Sequence, residues 1–209
     1  MRAPSARSER HAKCISWGID QSELAQAALA GLVAQVRDEP GRLVDPRDVP
    51  RRSDKFRKIK RRKPRSATDV QDTLARAMGT GTGGTNHIGL VKDTLNQVLG
   101  TTWYEVKTMN DPPTQEQRDL LKRDVVTDIS KGYPIVANVV SGWRPPGYPG
   151  GEIYHYVSVV GYDASGDRVL IADPAGERSG GATWCNVPRT YWISIDDLGT
   201  WIGGKGYAA

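Results

Sequence analysis

The stretch GEIYHYVSVVGYDASGDRVLIADPAG, residues 151–176, predicts two β-strands joined by a short turn. Residues 154–162 are rich in valine and tyrosine, which favour strands. The small and polar residues 165–167 supply the turn chemistry. Residues 168–172 form a second apolar run, which Pro174 ends because proline has no N–H to donate to a strand ladder. This hairpin is the element around which the rest of the predicted fold is built.

A histidine and an aspartate fall on one face of this hairpin if Tyr162 lies opposite Arg168. In that register Val157 faces Asp173, and His155 is the diagonal neighbour of Asp173. The Cα atoms of such neighbours lie about 7–8 Å apart, within reach of longer side chains. A slip of one residue would move the two side chains to opposite faces. A carboxylate beside an imidazole fixes its tautomer and stabilises the imidazolium, as a general base requires. Without further context, such a pair is more often a hydrogen-bonded histidine in a half-buried sheet.

Length and composition limit the class of protein. The chain has 209 residues, of which 38% are hydrophobic and 23 are glycine, which suits one compact, loop-rich domain of α/β or α+β type. No run of about 18 apolar residues predicts a membrane span. The first residues do not resemble a signal peptide, so we expect a protein that is cytoplasmic when made. No spacing of ligands predicts a metal site, no Gly-Lys-Ser/Thr follows the glycine-rich residues 79–84, and we expect no cofactor.

The net charge of +5 is divided unevenly along the chain. Residues 1–66 hold 17 Lys and Arg against 8 Asp and Glu, a net charge of +9, whereas residues 67–209 carry −4. The front segment contains one predicted helix, residues 22–38, and is otherwise too polar to bury a core. We therefore predict a basic, poorly ordered segment at 1–66 that packs little against a core domain at 67–209.

The basic residues 47–65 have three interpretations. Clustered Lys and Arg are typical of an arm that binds nucleic acid, because they displace counterions from phosphates. The second interpretation is a solvated linker. The third is an upstream start or a frame change that replaced the true N-terminal segment, and it is preferred over the arm. Nucleic acid is accordingly not the expected partner.

Capping signals predict the helices of the core domain. Asn86 is predicted to cap a helix that ends at Gly100. Thr114 and Gln117 form a capping-box pattern that begins a second helix, with Lys131 and Gly132 at its end. A final helical turn is predicted from a cap at Ser194 through Leu198. Further strands are predicted within residues 102–109, 134–140 and 190–195.

Three runs, HYVSVVGYD, VLIADP and YWISIDDL, resemble the C39-like family of cysteine peptidases, a papain-like group. The resemblance is closest to the N-terminal peptidase domain of mycobacteriophage endolysins (lysin A). It extends upstream through LARAMGTGTGGTNHIGLVKDTLNQVLG and downstream to KGYAA, and covers residues 69–209. It implies an α+β, papain-like C39-type fold in which helices pack on an antiparallel sheet.

The resemblance also implies residue roles. His155 would be the catalytic base and Asp173 its orienting partner, and the nucleophile would be a cysteine in a Cys-Gly-Pro context preceded by a glutamine. Cys14 is followed by Ile-Ser-Trp and lies too far upstream to match the family's spacing. Cys185 follows both His155 and Asp173, the wrong order for the family. The nucleophile is therefore unassigned, with Cys14 as a weak candidate.

By resemblance the substrate is a peptide bond in the stem or cross-bridge peptides of bacterial peptidoglycan. The protein would be a phage or prophage endolysin-related monomer that acts at the cell wall after release. Because the family nucleophile is missing, we predict that this chain hydrolyses little or nothing. The alternatives are an inactive C39-like wall-binding domain or prophage relic, and a basic nucleic-acid-binding protein that uses residues 47–65.

Overall fold

The computed structural model describes residues 74–81, 84–140, 142–176, 184 and 186–209. The basic segment, its predicted helix at 22–38, and both cysteines lie outside these residues. The helices are α1 (Ile88–Leu99), α2 (Gln115–Ser130) and α3 (Ile195–Trp201), with a further helical turn at 74–77. The strands are β1 (Val106–Thr108), β2 (Ile135–Val140), β3 (Tyr154–Tyr162), β4 (Arg168–Ala172), β5 (Thr190–Ser194) and β6 (Gly206–Ala208). None of the helices in this part of the chain is long and apolar enough to cross a membrane.

The six strands form one sheet in the order β1-β6-β2-β3-β4-β5, and every neighbouring pair is antiparallel. Successive side chains of a strand point to opposite sides, so the sheet has two faces, and helices pack on both. On one face, which we call the α2 face, Leu121 and Val125 of α2 pack against Ala137 of β2. On the other, the α1 face, Val91 of α1 and Val136 of β2 belong to one buried core cluster. The predicted α+β fold, an antiparallel sheet with packed helices, is confirmed.

The helix boundaries largely follow the predicted caps. The Thr114 hydroxyl accepts a hydrogen bond from the Gln117 N–H, and the Gln117 side chain accepts one from the Thr114 N–H, so the capping box is confirmed. Gly100 ends α1 with φ 62°, a conformation that glycine adopts without a Cβ penalty. The N-cap of α1 is His87 rather than the predicted Asn86, because His87 is the last residue with an extended backbone.

Two element predictions need correction. The strand predicted within 102–109 shortens to β1 because Asn96 binds the backbone of Tyr104, accepting from its N–H (3.0 Å) and donating to its carbonyl (2.9 Å). The final helical turn extends past Leu198 to Trp201. Strand β6 was not predicted, although it lies between β1 and β2 in the sheet.

The hairpin differs from its predicted register near the turn. Tyr162 pairs with Val169, so the predicted pairing with Arg168 is wrong. The cause is Asp163, whose carboxylate accepts hydrogen bonds from the N–H groups of Asp167 (3.0 Å) and Arg168 (3.2 Å). The Arg168 carbonyl also accepts from the Asp163 N–H, so Arg168 lies opposite Asp163 instead.

A β-bulge restores the predicted register further along the hairpin. Gly161 pairs with Leu170, but the next pair is Val159 with Ile171, which leaves Val160 as the extra residue. Without this bulge the alternation would place the residue after β4 on the face opposite His155. The bulge therefore decides that His155 and Asp173 share the α2 face.

An open cleft of ≈ 230 Å³ lies away from the hairpin pair, between α2 and the segment leading into β1. Its lining includes Trp103, Asp124 and Asp128, and neither His155 nor Asp173. Asp128 is buried, and its Oδ2 has no hydrogen-bond partner among the described residues. Burial raises the pKa of Asp128 and outweighs the hydrogen bond that the Trp103 side chain donates.

Asp128→Asn is expected to stabilise the fold at pH 7 by about 1 kcal/mol, after allowance for screening by water in the cleft, because it removes a poorly paired buried charge. A raised pKa in the folded state means that the stability contributed by the proton is present below the unfolded pKa of about 3.9. That stability is lost as the pH rises through the folded pKa. The gain should therefore grow between pH 4 and pH 7 in urea denaturation. The matched control is Asp167→Asn, at an exposed carboxylate. A variant less stable than the native chain at pH 7 would contradict this.

Candidate active site

His155 and Asp173 lie on one face of the sheet, as the sequence predicts, and their side chains are in contact. The Nε2 atom of His155 lies 3.1 Å from Oδ1 of Asp173, and both residues are 4% exposed. His155 lies near the start of β3, and Asp173 directly follows β4. The pair thus sits at one end of two neighbouring strands, with both side chains on the α2 face.

The residues after β4 fix the orientation of Asp173. Its Oδ1 accepts a hydrogen bond from the Ala175 N–H (2.9 Å), an Asx-turn made by the local sequence Asp-Pro-Ala-Gly. Its own N–H donates to the Arg189 carbonyl (2.8 Å), which ties the turn to the start of β5. A Cβ on Gly176 would come 2.5 Å from the Arg189 Cα, so only glycine permits this close approach.

Two tyrosines complete the surroundings of the carboxylate. The hydroxyls of Tyr191 (2.7 Å) and Tyr148 both donate to Oδ2 of Asp173. Burial alone would raise the pKa of Asp173, but the hydrogen bond and charge of His155, together with the two hydroxyls, lower it. Burial raises the pKa of Tyr148 and Tyr191, and the nearby Asp173 charge adds to this, so both remain donors.

Aromatic rings cover the imidazole. The ring centroid of Trp184 lies 5.3 Å from that of His155, and Tyr148 packs edge-on against both Trp184 and Trp201 at 5.0 and 5.3 Å. The loop that carries Tyr148 approaches the Asn186 backbone at Gly147, which has φ 92° and no room for a Cβ. Aromatic side chains therefore shield the pair from solvent.

This geometry determines what the imidazole can do. An ionised carboxylate only accepts hydrogen bonds, so the Nε2–H of His155 donates to Asp173. The other ring nitrogen, Nδ1, is then the proton-accepting atom, and the carboxylate stabilises the imidazolium that forms. Within the described ranges, no three His, Cys, Asp or Glu side chains come together as metal ligands. This arrangement can serve as a general base with its orienting partner.

Comparison with known families agrees with this arrangement. A family model described as the peptidase C39-like family matches residues 56–199. The chain belongs to the peptidase C39-like family. The match covers well over half of the 209 residues and includes both His155 and Asp173. No curated protein matches the sequence significantly.

The family match bears on the domain boundary and the cysteines. It begins at residue 56, upstream of the core boundary predicted at residue 67. Cys14 lies outside the match and Cys185 inside it, and both lie outside the described residues. The roles of His155 and Asp173 in a C39-like reaction stay predictions, although their contact is confirmed.

Sequence reasoning missed three neighbours of the pair: Tyr148, Tyr191 and Trp184. Tyr191 had a usable signal, because antiparallel pairing with β4 places it opposite Ile171 and on the same face as Asp173. Tyr148 lies in a loop rich in proline and glycine, where no alternation indicates the direction of a side chain. Trp184 lies between β4 and β5, in a stretch whose sequence shows no periodicity that would indicate the direction of its side chain.

Proposed function

We propose that this C39-like chain is a peptidase-type domain that acts on the stem or cross-bridge peptides of bacterial peptidoglycan. Its context would be a phage or prophage endolysin. The observation that carries the proposal is the buried contact between His155 Nε2 and Asp173 Oδ1. The wall substrate rests on the resemblance to mycobacteriophage endolysins.

In this mechanism His155 is the base and Asp173 orients it. A cysteine thiol gives its proton to Nδ1, the electron pair of the S–H bond stays on sulfur, and the resulting thiolate attacks the peptide carbonyl. The imidazolium then returns the proton to the leaving amine as the peptide C–N bond breaks, which leaves the acyl group on sulfur as a thioester. A water molecule that gives a proton to Nδ1 then attacks the thioester, and the released sulfur takes the proton back as a thiol. Asp173 stabilises the imidazolium each time it forms.

The missing part is the thiol. Neither Cys14 nor Cys185 stands in a Cys-Gly-Pro sequence, and neither follows a glutamine. This observation favours a second candidate, a C39-like domain that binds wall peptides without cleaving them. The two candidates share the wall-peptide ligand and differ in turnover.

The chain by itself is expected to clear a cell-wall suspension slowly or not at all, because a His–Asp pair without a thiolate lacks the attacking group. The Cys14→Ala and Cys185→Ala variants should behave like the native chain in turbidity clearing and in labelling by a thiol-reactive substrate analogue. Lysis that only Cys14→Ala abolishes would contradict this and make Cys14 the nucleophile.

Two further measurements separate the candidates. A family-type Cys-Gly-Pro helix grafted before Asp69 should produce lysis if the domain is a peptidase that lacks its nucleophile. Co-sedimentation with insoluble peptidoglycan, without lysis even after the graft, would indicate the binding domain. If the grafted chain neither lyses the wall nor co-sediments with peptidoglycan, the proposal of a wall substrate is overturned.

A further inference from the structure

The carboxylate of Asp173 has a hydrogen-bond donor at each of four positions. Oδ1 accepts from His155 Nε2 (3.1 Å) and from the Ala175 N–H (2.9 Å). Oδ2 accepts from the hydroxyls of Tyr191 (2.7 Å) and Tyr148. The side chain of Asp173 is completely buried, so these donors replace the water that a carboxylate would otherwise bind.

The two tyrosines reach this oxygen from distant parts of the chain. Tyr148 lies in the loop before β3, and Tyr191 lies in β5. Their hydroxyl oxygens are 3.3 Å apart, and both point at Oδ2 instead of separate partners. A tyrosine that only fills a core needs one partner for its hydroxyl, and any acceptor would suffice. Convergence on the one oxygen that His155 leaves free is a more specific arrangement.

We propose that Tyr148 and Tyr191 are positioning residues, which occupy Oδ2 of Asp173 so that Oδ1 alone orients His155 in its Nε2–H tautomer. They act through Asp173 and touch no reacting atom. In this tautomer Nδ1 is unprotonated and can accept a proton, and the catalytic role of that atom rests on the proposed function. The four hydrogen bonds to the Asp173 carboxylate do not depend on the proposed function.

The hydrogen bonds to Asp173 have a measurable effect on the pKa of its carboxyl. A buried carboxylate stays ionised only where hydrogen bonds or charges compensate for lost solvation. The titratable side chains seen in contact with Asp173 are His155, Tyr148 and Tyr191, and each lowers its pKa. Loss of a hydroxyl therefore makes it easier for the carboxylate to take up a proton from solvent, and the neutral acid no longer holds the Nε2–H group as an ionised acceptor does. The pair titrates as a unit, so its acidic inflection reports this change.

The test is an imidazole ¹H–¹⁵N correlation spectrum of the full ¹⁵N-labelled chain, titrated from pH 3 to pH 9. The chain has three histidines, so His11→Gln and His87→Gln assign the His155 signals. Tyr148→Phe, Tyr191→Phe and the double variant each remove hydroxyls and keep the rings. The matched control is Tyr207→Phe, which removes a buried hydroxyl that donates to Asp124 (2.9 Å).

The neutral imidazole of the native chain should show the Nε2–H tautomer. The acidic inflection of the pair, which reports protonation of Asp173 and is followed on the imidazole signals of His155, should move to higher pH in each single variant and further in the double variant. The Tyr207→Phe control should leave it in place. An inflection that stays in the tyrosine variants, or moves equally in the control, would overturn the proposal. Should the double variant not fold, the two single variants decide the question alone.

This readout needs no hydrolysis, so it separates the two proposals. A shifted inflection together with an inactive grafted chain would keep the positioning role and reject the peptidase function. An unshifted inflection in an active grafted chain would reject only the positioning role.

Discussion

Asp173→Ala is expected to lower the free energy of unfolding by about 3–5 kcal/mol at pH 7, because it removes one partner of a buried, fully hydrogen-bonded pair. The change leaves the His155 Nε2 group, the Ala175 N–H and the hydroxyls of Tyr148 and Tyr191 without their acceptor in an apolar site. Urea denaturation followed by tryptophan fluorescence measures the loss.

The pH dependence of this loss has a definite sign. The pKa of Asp173 is lowered in the folded protein, so its stabilising contribution is complete above the unfolded pKa of about 3.9. That contribution disappears as the pH falls through the folded pKa, and the native chain and the variant should converge in acid. Asp167→Ala, which removes an exposed carboxylate that pairs with Lys122, is the matched control and should change stability far less. A loss at position 173 no larger than at position 167 would show that the pair does not stabilise the fold.

His155→Ala should abolish hydrolysis in a chain that carries the grafted Cys-Gly-Pro helix before Asp69. We expect the rate on peptidoglycan peptides to fall by about 10³-fold or more, because the thiol loses both its base and the imidazolium that protonates the leaving amine. Release of labelled wall peptides under single-turnover conditions measures the chemical step directly.

The control for this variant is His87→Ala. His87 is the exposed N-cap of α1 and makes no side-chain cap hydrogen bond, so its loss should leave the rate within a factor of two or so. If the grafted chain stays active after His155→Ala, His155 is not the base and the assigned roles are wrong. Circular dichroism of both variants establishes that the comparison is between folded proteins.

Much of the fold follows from patterns confined to a few neighbouring residues. The capping box of Thr114 and Gln117 and the left-handed Gly100 both depend on backbone groups within one helical turn, so their chemistry is visible in the sequence. The hairpin strands follow from β-branched and aromatic alternation. The motifs around His155 and Asp173 indicated the C39-like family, which the family match then showed.

Local sequence patterns determined the candidate pair only in part. Its two members came from the hairpin, but the register assumed at the turn was wrong by one residue. The Asp163 carboxylate holds Arg168 opposite itself, and the bulge at Val160 then reverses the shift. Alternation reports which residues share a face within a strand. It does not report where one strand gains a residue relative to its partner.

Sequence alone therefore determined the two hairpin strands, the capping box of α2, the glycine that ends α1, the family and the two members of the pair. Tertiary structure decided the bulge that brings the pair to one face, the insertion of β6 between β1 and β2, and the convergence of Tyr148 and Tyr191 on one carboxylate oxygen. The physical reason is the separation along the chain between the interacting residues. Caps and alternation are settled by neighbours along the chain, whereas register, strand order and a shared hydrogen-bond acceptor depend on segments that meet only after the chain has folded.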